Sequence, residues 1–128
     1  MYLTERMITV LNLNSVMIGT MQFQALASFY EKVLGKPADM VDAENGFYGW
    51  MVGATFMGVL EHSEMGGRSK EPGRVMINFE TSQVKEEFER IKALGGVVVK
   101  APYDMGGGLI ATLADPDGNY FQLITPMG

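Results

Sequence analysis

Apolar and polar positions divide this chain into two similar runs. In the first, Val16 and Ile18 alternate with Ser15, Met17 and Gly19, the period of a strand over 14–20. Leu26, Phe29, Tyr30 and Val33 then recur at three- and four-residue spacing, which predicts a helix over 22–34 with one apolar stripe. Gly35 stands where a helix cap is expected, and Pro37 follows as a stop. Three strands are expected next, at 37–41, 47–52 and 55–61, the first two joined by a turn at Asn45-Gly46. The second run repeats this order. A strand over 74–80 leads to a helix with the stripe Val84, Phe88 and Ile91 and an expected N-cap at Ser82. Strands follow at 97–100, 109–114 and 120–124. Residues 1–12 fit either a tail or an extra edge strand.

Both halves thus read strand, helix, strand, strand, strand, an internal repeat of about sixty residues. The pattern predicts an α+β chain of 128 residues forming one domain. Its first module covers about 13–61, its linker 62–73 and its second module about 74–126. Gly66-Gly67 and Pro72-Gly73 supply the linker chemistry. Each helix covers one face of its small sheet and leaves the other bare, so pairing the modules is expected to enclose those faces.

Composition narrows the function classes. The net charge is −5, and the ten Lys and Arg are scattered, which argues against a nucleic-acid partner. No apolar run approaches the roughly 20 residues of a membrane span, and no secretory signal is evident, so a cytoplasmic protein is expected. Zero cysteines exclude disulfides and thiolate metal sites. Eleven methionines suit either irregular core filling or a plastic ligand cavity.

The closing stretch carries the strongest local signal. Asp115-Pro116-Asp117-Gly118-Asn119 is turn chemistry, with Gly118 available for a positive φ, and its two carboxylates read as turn formers. Together, Phe29-Tyr30-Glu31-Lys32-Val33-Leu34-Gly35, the segment Phe88 through Gly96 and this turn resemble the vicinal oxygen chelate superfamily. That superfamily holds glyoxalases, bleomycin-resistance proteins and extradiol dioxygenases. The resemblance covers about residues 13–126. It implies two paired βαβββ modules forming a curled mixed sheet around a cleft, commonly in a homodimer.

In metal-using members four strand positions face the cleft, and the resemblance carries them onto Ser15, Glu61, Met76 and Gln122. Ser15 to Met76 and Glu61 to Gln122 are both separations of 61 residues, so the repeat relates them pairwise. The usual set is His or Gln, Glu, His and Glu. Ser, Met and Gln are poor substitutes, so no metal and no other cofactor is expected. The single histidine, His62, follows Glu61 and should point to the opposite face.

If that register holds, the cleft is lined by Ser15, Met17, Met57, Glu61, Met76, Asn78, Tyr120 and Gln122, with Trp50 and Tyr48 able to reach it. Glu61 is the one candidate catalytic residue, as a base or as an anchor for a ligand amine, with Gln122 its hydrogen-bond partner. Gly106-Gly107-Gly108 reads as a mobile loop over the cleft mouth. The expected function is metal-free binding or sequestration of a small aromatic or amphipathic molecule. The alternatives are a glyoxalase-like lyase or isomerase using Glu61 or an atypical divalent metal, and a module without a ligand.

Overall fold

The structure, a computed structural model, describes residues 10–126. In chain order it contains β1 (Ser15–Thr20), α1 (Phe23–Leu34), β2 (Met40–Asp42), β3 (Phe47–Val52) and β4 (Thr55–Glu61). The second run is β5 (Ile77–Glu80), α2 (Val84–Ala93), β6 (Val97–Asp104), β7 (Leu109–Ala114) and β8 (Tyr120–Ile124). The reading of residues 1–12 falls, for 1–9, outside the described residues; 10–12 are not in a strand.

The repeat is explicit in the pairing. One sheet has the order β1-β4-β3-β2 and the other β5-β8-β7-β6. Each contains one parallel pair, β1 with β4 and β5 with β8, and two antiparallel pairs. A smaller device repeats too. The Thr20 hydroxyl accepts the Gln22 N–H at 3.0 Å, and the Thr81 hydroxyl accepts the Gln83 N–H at 3.0 Å. These ST turns start both helices, so the expected Ser82 cap is corrected to Gln83, which has no side-chain cap.

Two further boundaries moved for physical reasons. The strand expected from Pro37 begins at Met40, because Pro37 has no N–H for the ladder. β6 runs on to Asp104 through Pro102, which an edge strand with register shifts tolerates.

Both helices bury their stripes in one core. Phe23, Leu26, Phe29, Tyr30 and Val33 of α1 and Val84, Phe88 and Ile91 of α2 join Trp50, Met57 and Val59 of the first sheet. Ala111, Leu113, Phe121 and Leu123 of the second sheet complete it. The Phe121 ring stands 6.0 Å from both Phe29 and Tyr30, so the first helix packs on the last strand. Arg90 of α2 ties the helices together. Its guanidinium donates to the carbonyls of Lys32 (2.9 Å) and Val33 (2.6 Å), which α1 leaves unpaired at its end. Glu87 holds the guanidinium at 2.8 Å, and this hydrogen bond raises the Arg90 pKa.

The closing turn is a second tie. The Tyr30 hydroxyl donates to Asp115 at 2.7 Å, with both residues 1% exposed. The other Asp115 oxygen accepts the backbone N–H of Asp117 (2.9 Å) and of Asn119 (3.0 Å). Gly118 takes the positive φ, 81°, that the turn requires. The Gln22 side chain donates to the Asp117 carboxylate, and the Ser69 N–H to the Asp117 carbonyl at 2.9 Å. Helix, linker and turn are thereby fastened at one place.

Candidate functional site

The pairing register decides which side chains can meet. Ser15 lies opposite Phe56 and Glu61 opposite Thr20, so Ser15 and Glu61 sit at opposite ends of the parallel β1/β4 pair. Five residues of strand separate them, about 16 Å at roughly 3.3 Å per residue. They also face opposite ways. Ser15, Met17 and Gly19 share a face with Phe56, Gly58 and Leu60, whereas Val16, Ile18 and Thr20 share one with Met57, Val59 and Glu61. The expectation that Ser15, Met17, Met57 and Glu61 line one face is therefore corrected. Alternation within each strand was right, but the sequence does not reveal the offset between strands.

Glu61 is exposed and packs against Gly46 beside the first turn of α1. Gln122 does not meet it; its amide donates to the Thr112 hydroxyl at 2.9 Å within the second sheet. Gln122 is paired across the ladder with Asn78, on the face that α2 leaves bare. Trp50 is 0% exposed in the core, and its indole N–H donates to the Lys36 carbonyl at 3.2 Å, so it is not a cleft residue. Tyr120 shares the Gln122 face, its ring against Gly73. His62 is exposed and its Nδ1 accepts the Glu64 N–H at 3.2 Å.

Ser15, Glu61, Met76 and Gln122 therefore do not fit a metal. Their donors are a hydroxyl, a thioether, the neutral oxygen of an amide whose nitrogen donates to Thr112, and a distant carboxylate. Among the described residues, no three His, Cys, Asp or Glu side chains converge.

The structure does gather other residues. The paired βαβββ modules expected from the sequence are present as two four-stranded mixed sheets, which are not hydrogen-bonded to each other among the described residues and leave a seam between them. Where β1 approaches β5, the seam opens into a cavity of about 450 Å³. Val16, Val52, Thr55 and Met57 form one wall; Val75, Met76, Ile77, Asn78 and Phe79 form the other, with Leu13 at the rim. Met57, Met76 and Asn78 were named from the sequence. Val16 and Val52 were missed because they lie on the helix-side face, and the cavity wraps the edge of β5 to draw on both of its faces. The signal available in the sequence was the shared parity of Val16 and Ile18. Volume and lining suit a small-molecule pocket, mostly apolar with few polar groups.

The glycine loop does not cover this cavity. Met105 to Leu109 line a separate hollow with Ile124, Thr125 and Pro126. The Asp104 carboxylate fastens the loop by accepting the Gly106 and Gly107 N–H groups at 2.8 and 3.2 Å, and these bonds hold its pKa below the ordinary carboxylate value.

The bare face of the first sheet is built closely around glycine. A Cβ on Gly49 would lie 2.0 Å from the tip of the Phe56 ring. Phe47 stacks on Phe56 at 6.1 Å, and Met17 and Met51 flank them half-exposed.

Comparison with known proteins follows this geometry. A glyoxalase-like domain model matches residues 15–124. An uncharacterized protein of Mycolicibacterium smegmatis is 32% identical over 56 residues, which cover 44% of this chain and 48% of that protein. The match thus spans about half the length of that relative. A glyoxalase-related enzyme from Fulvimarina pelagi superposes with a TM-score of 0.74 at 19% identity, covering 91% of this chain and 92% of the other. A glyoxalase/bleomycin resistance protein/dioxygenase family enzyme from Burkholderia phytofirmans PsJN gives 0.71 at 24% identity, covering 91% and 100%. A glyoxalase/bleomycin resistance protein from Albidiferax ferrireducens T118 gives 0.70 at 20% identity, covering 88% and 98%. These structures establish the fold. With the domain match over nearly the whole described chain, this protein belongs to the glyoxalase-like family of the vicinal oxygen chelate superfamily.

Proposed function

We propose that this protein binds and sequesters a small aromatic or amphipathic molecule without a metal, in the seam cavity between its modules. The observation that carries the reading is the cavity itself: about 450 Å³, walled by Val16, Val52, Met57, Met76 and Phe79. Methionine walls adapt to varied ligand shapes. Catalysis by Glu61 has no comparable support, because that carboxylate is exposed and lies at the far end of β4 from Ser15 and the seam.

The working unit in this reading is a cytoplasmic homodimer. The bare face of the first sheet supports the dimer, since Met17 and Met51 are 47% and 45% exposed beside the Phe47/Phe56 pair. The absence of cysteine suits a reducing compartment.

Titration with the neutral fluorophore N-phenyl-1-naphthylamine tests the reading. The expected result is saturable binding that raises the unfolding temperature as RT ln(1 + [L]/Kd) predicts. Met76→Glu, which places a charge in the wall, should weaken it at least about tenfold. No saturable binding by the wild type would overturn the proposal.

A further inference from the structure

The seam cavity is open at its mouth, and bare apolar side chains crowd that opening. Leu13, Val75 and Met76 line it yet are 78%, 81% and 39% exposed. The chain that leads into β1 is barer still, with Val10 101% and Leu11 84% exposed. Val10, Leu11, Leu13 and Val75 are the four most exposed large apolar residues of the described chain.

Register explains why the arm before β1 stands clear. Asn14 is the last point held against β4, its carbonyl accepting the Phe56 N–H at 3.1 Å. The ladder stops there because Gly53 and Ala54 form the turn between β3 and β4. Residues 10–13 therefore run past the end of the first sheet. Val10 is wholly in solvent, so the arm does not lie back over its own molecule.

Together, Val10, Leu11, Leu13, Val75 and Met76 expose on the order of 500 Å² of apolar surface per copy, or about 1,000 Å² across a two-fold, the size at which a specific interface begins. Charge is confined to the surroundings, as at an interface rim. Arg74 and Glu71 beside Val75 pair with each other at 2.6 Å, and Glu80 lies at the far end of β5.

A second copy of this chain is the partner that fits. Arm and mouth stand side by side, since Leu13 and Val75 line one opening. A two-fold axis beside it lays each arm on the other copy's mouth, so both are covered and the assembly closes. The contact continues across β1, whose Met17 stands on the bare face assigned above to the dimer.

We propose that residues 10–13 are an arm exchanged between two copies of this chain, each arm closing the other copy's seam, so that the ligand cavity is complete only in the dimer. This inference rests on the seam as the binding site and adds the partner that closes it.

The full chain has no cysteine, so single Leu13→Cys and Val75→Cys variants, mixed and oxidised, report contact between copies. The expected product is a disulfide-linked pair joining one variant to the other. Leu13→Lys and Val75→Glu, both at exposed positions, should each weaken the dimer at least about hundredfold in sedimentation, because each buried charge counts twice across the two-fold. Mixing them should restore much of the affinity, since a mixed pair sets one lysine arm on one glutamate mouth and leaves the other contact native. Circular dichroism checks that each variant folds. N-phenyl-1-naphthylamine binding should weaken in step with dimer content.

A wild type that stays monomeric at every concentration, or a dimer that neither charge weakens, overturns the arm; naphthylamine binding to that same protein would leave the seam reading standing. A monomeric Leu13→Lys variant that binds the fluorophore as tightly as the wild type overturns closure of the cavity by the partner. A wild-type dimer that both charges disrupt, but that binds no fluorophore, upholds the exchanged arm and removes the binding function.

Discussion

Replacing Tyr30 by Phe would isolate the tie between the first helix and the closing turn. The ring contacts survive, since Phe29 at 5.2 Å and Phe121 at 6.0 Å touch the ring rather than the hydroxyl. What is lost is the 2.7 Å hydrogen bond to Asp115, made where both residues are 1% exposed. That Asp115 oxygen keeps one donor, the Asn119 amide at 3.0 Å, so it is not orphaned. A hydrogen bond to a charged group contributes about 1.5–3 kcal/mol, and the expected loss of stability at pH 7 lies in that range.

The pH dependence gives a sharper check. Burial raises the Asp115 pKa, and the Tyr30 hydrogen bond opposes that rise most strongly. Burial, reinforced by the charge of Asp115, pushes the Tyr30 phenol well above its ordinary value, so it remains a donor throughout. With a raised folded pKa, the folded chain binds the Asp115 proton more strongly than the unfolded chain. Stability from this group is therefore greatest below the unfolded value of about 4 and is lost as pH rises through the folded pKa. Tyr30→Phe lifts the folded pKa further, so the variant continues to lose stability at pH values where the wild type has levelled off. Urea unfolding at intervals from pH 4 to 8 should show the gap between the two proteins widening with pH and then becoming constant. A gap below about 0.5 kcal/mol, or one that narrows as pH rises, would refute the account.

Other ties can be tested in the same way. Arg90→Met keeps the aliphatic stem but leaves the Lys32 and Val33 carbonyls without their donor, and chemical denaturation should show a loss of about 1–3 kcal/mol. Gly49→Ala puts a Cβ 2.0 Å from the Phe56 ring and should cost about 1–3 kcal/mol; combined with Phe56→Leu, much of that loss should return in a double-mutant cycle. Because the four family positions do not converge, Ni, Zn or Mn ions should leave the unfolding temperature of the protein within about 1 °C of its value in chelator, and tight stoichiometric metal in elemental analysis would contradict this.

The elements were legible because each is written locally. The α1 stripe, the Gly35 stop and the Asp115–Asn119 turn rest on periods and propensities that short stretches contain in full. The repeat was legible for the same reason, since separations of 61 residues survive even where identities have changed. The Thr20/Gln22 and Thr81/Gln83 turns have that same separation, although Ser82 looked like the better cap. Tyr30 was recognised as a core residue, but its bond to Asp115 joins positions 85 residues apart, and no local pattern encodes that.

The site was less legible because it depends on a relation between elements. Alternation separates Ser15 from Val16, but parallel pairing sets how far β4 slides against β1, and that offset sends Glu61 to the Thr20 end. The residues that do meet are those at the seam, between the β1 and β5 edges, which do not pair among the described residues. A repeat that conserves its two cores has no need to conserve the seam. Helix stripes and turn ties hold each module whatever lines the gap, so residues there can change in volume and polarity at little cost to folding. This explains how Met76, on the seam wall, can stand at a position that the resemblance assigns to a metal ligand while the surrounding fold remains intact.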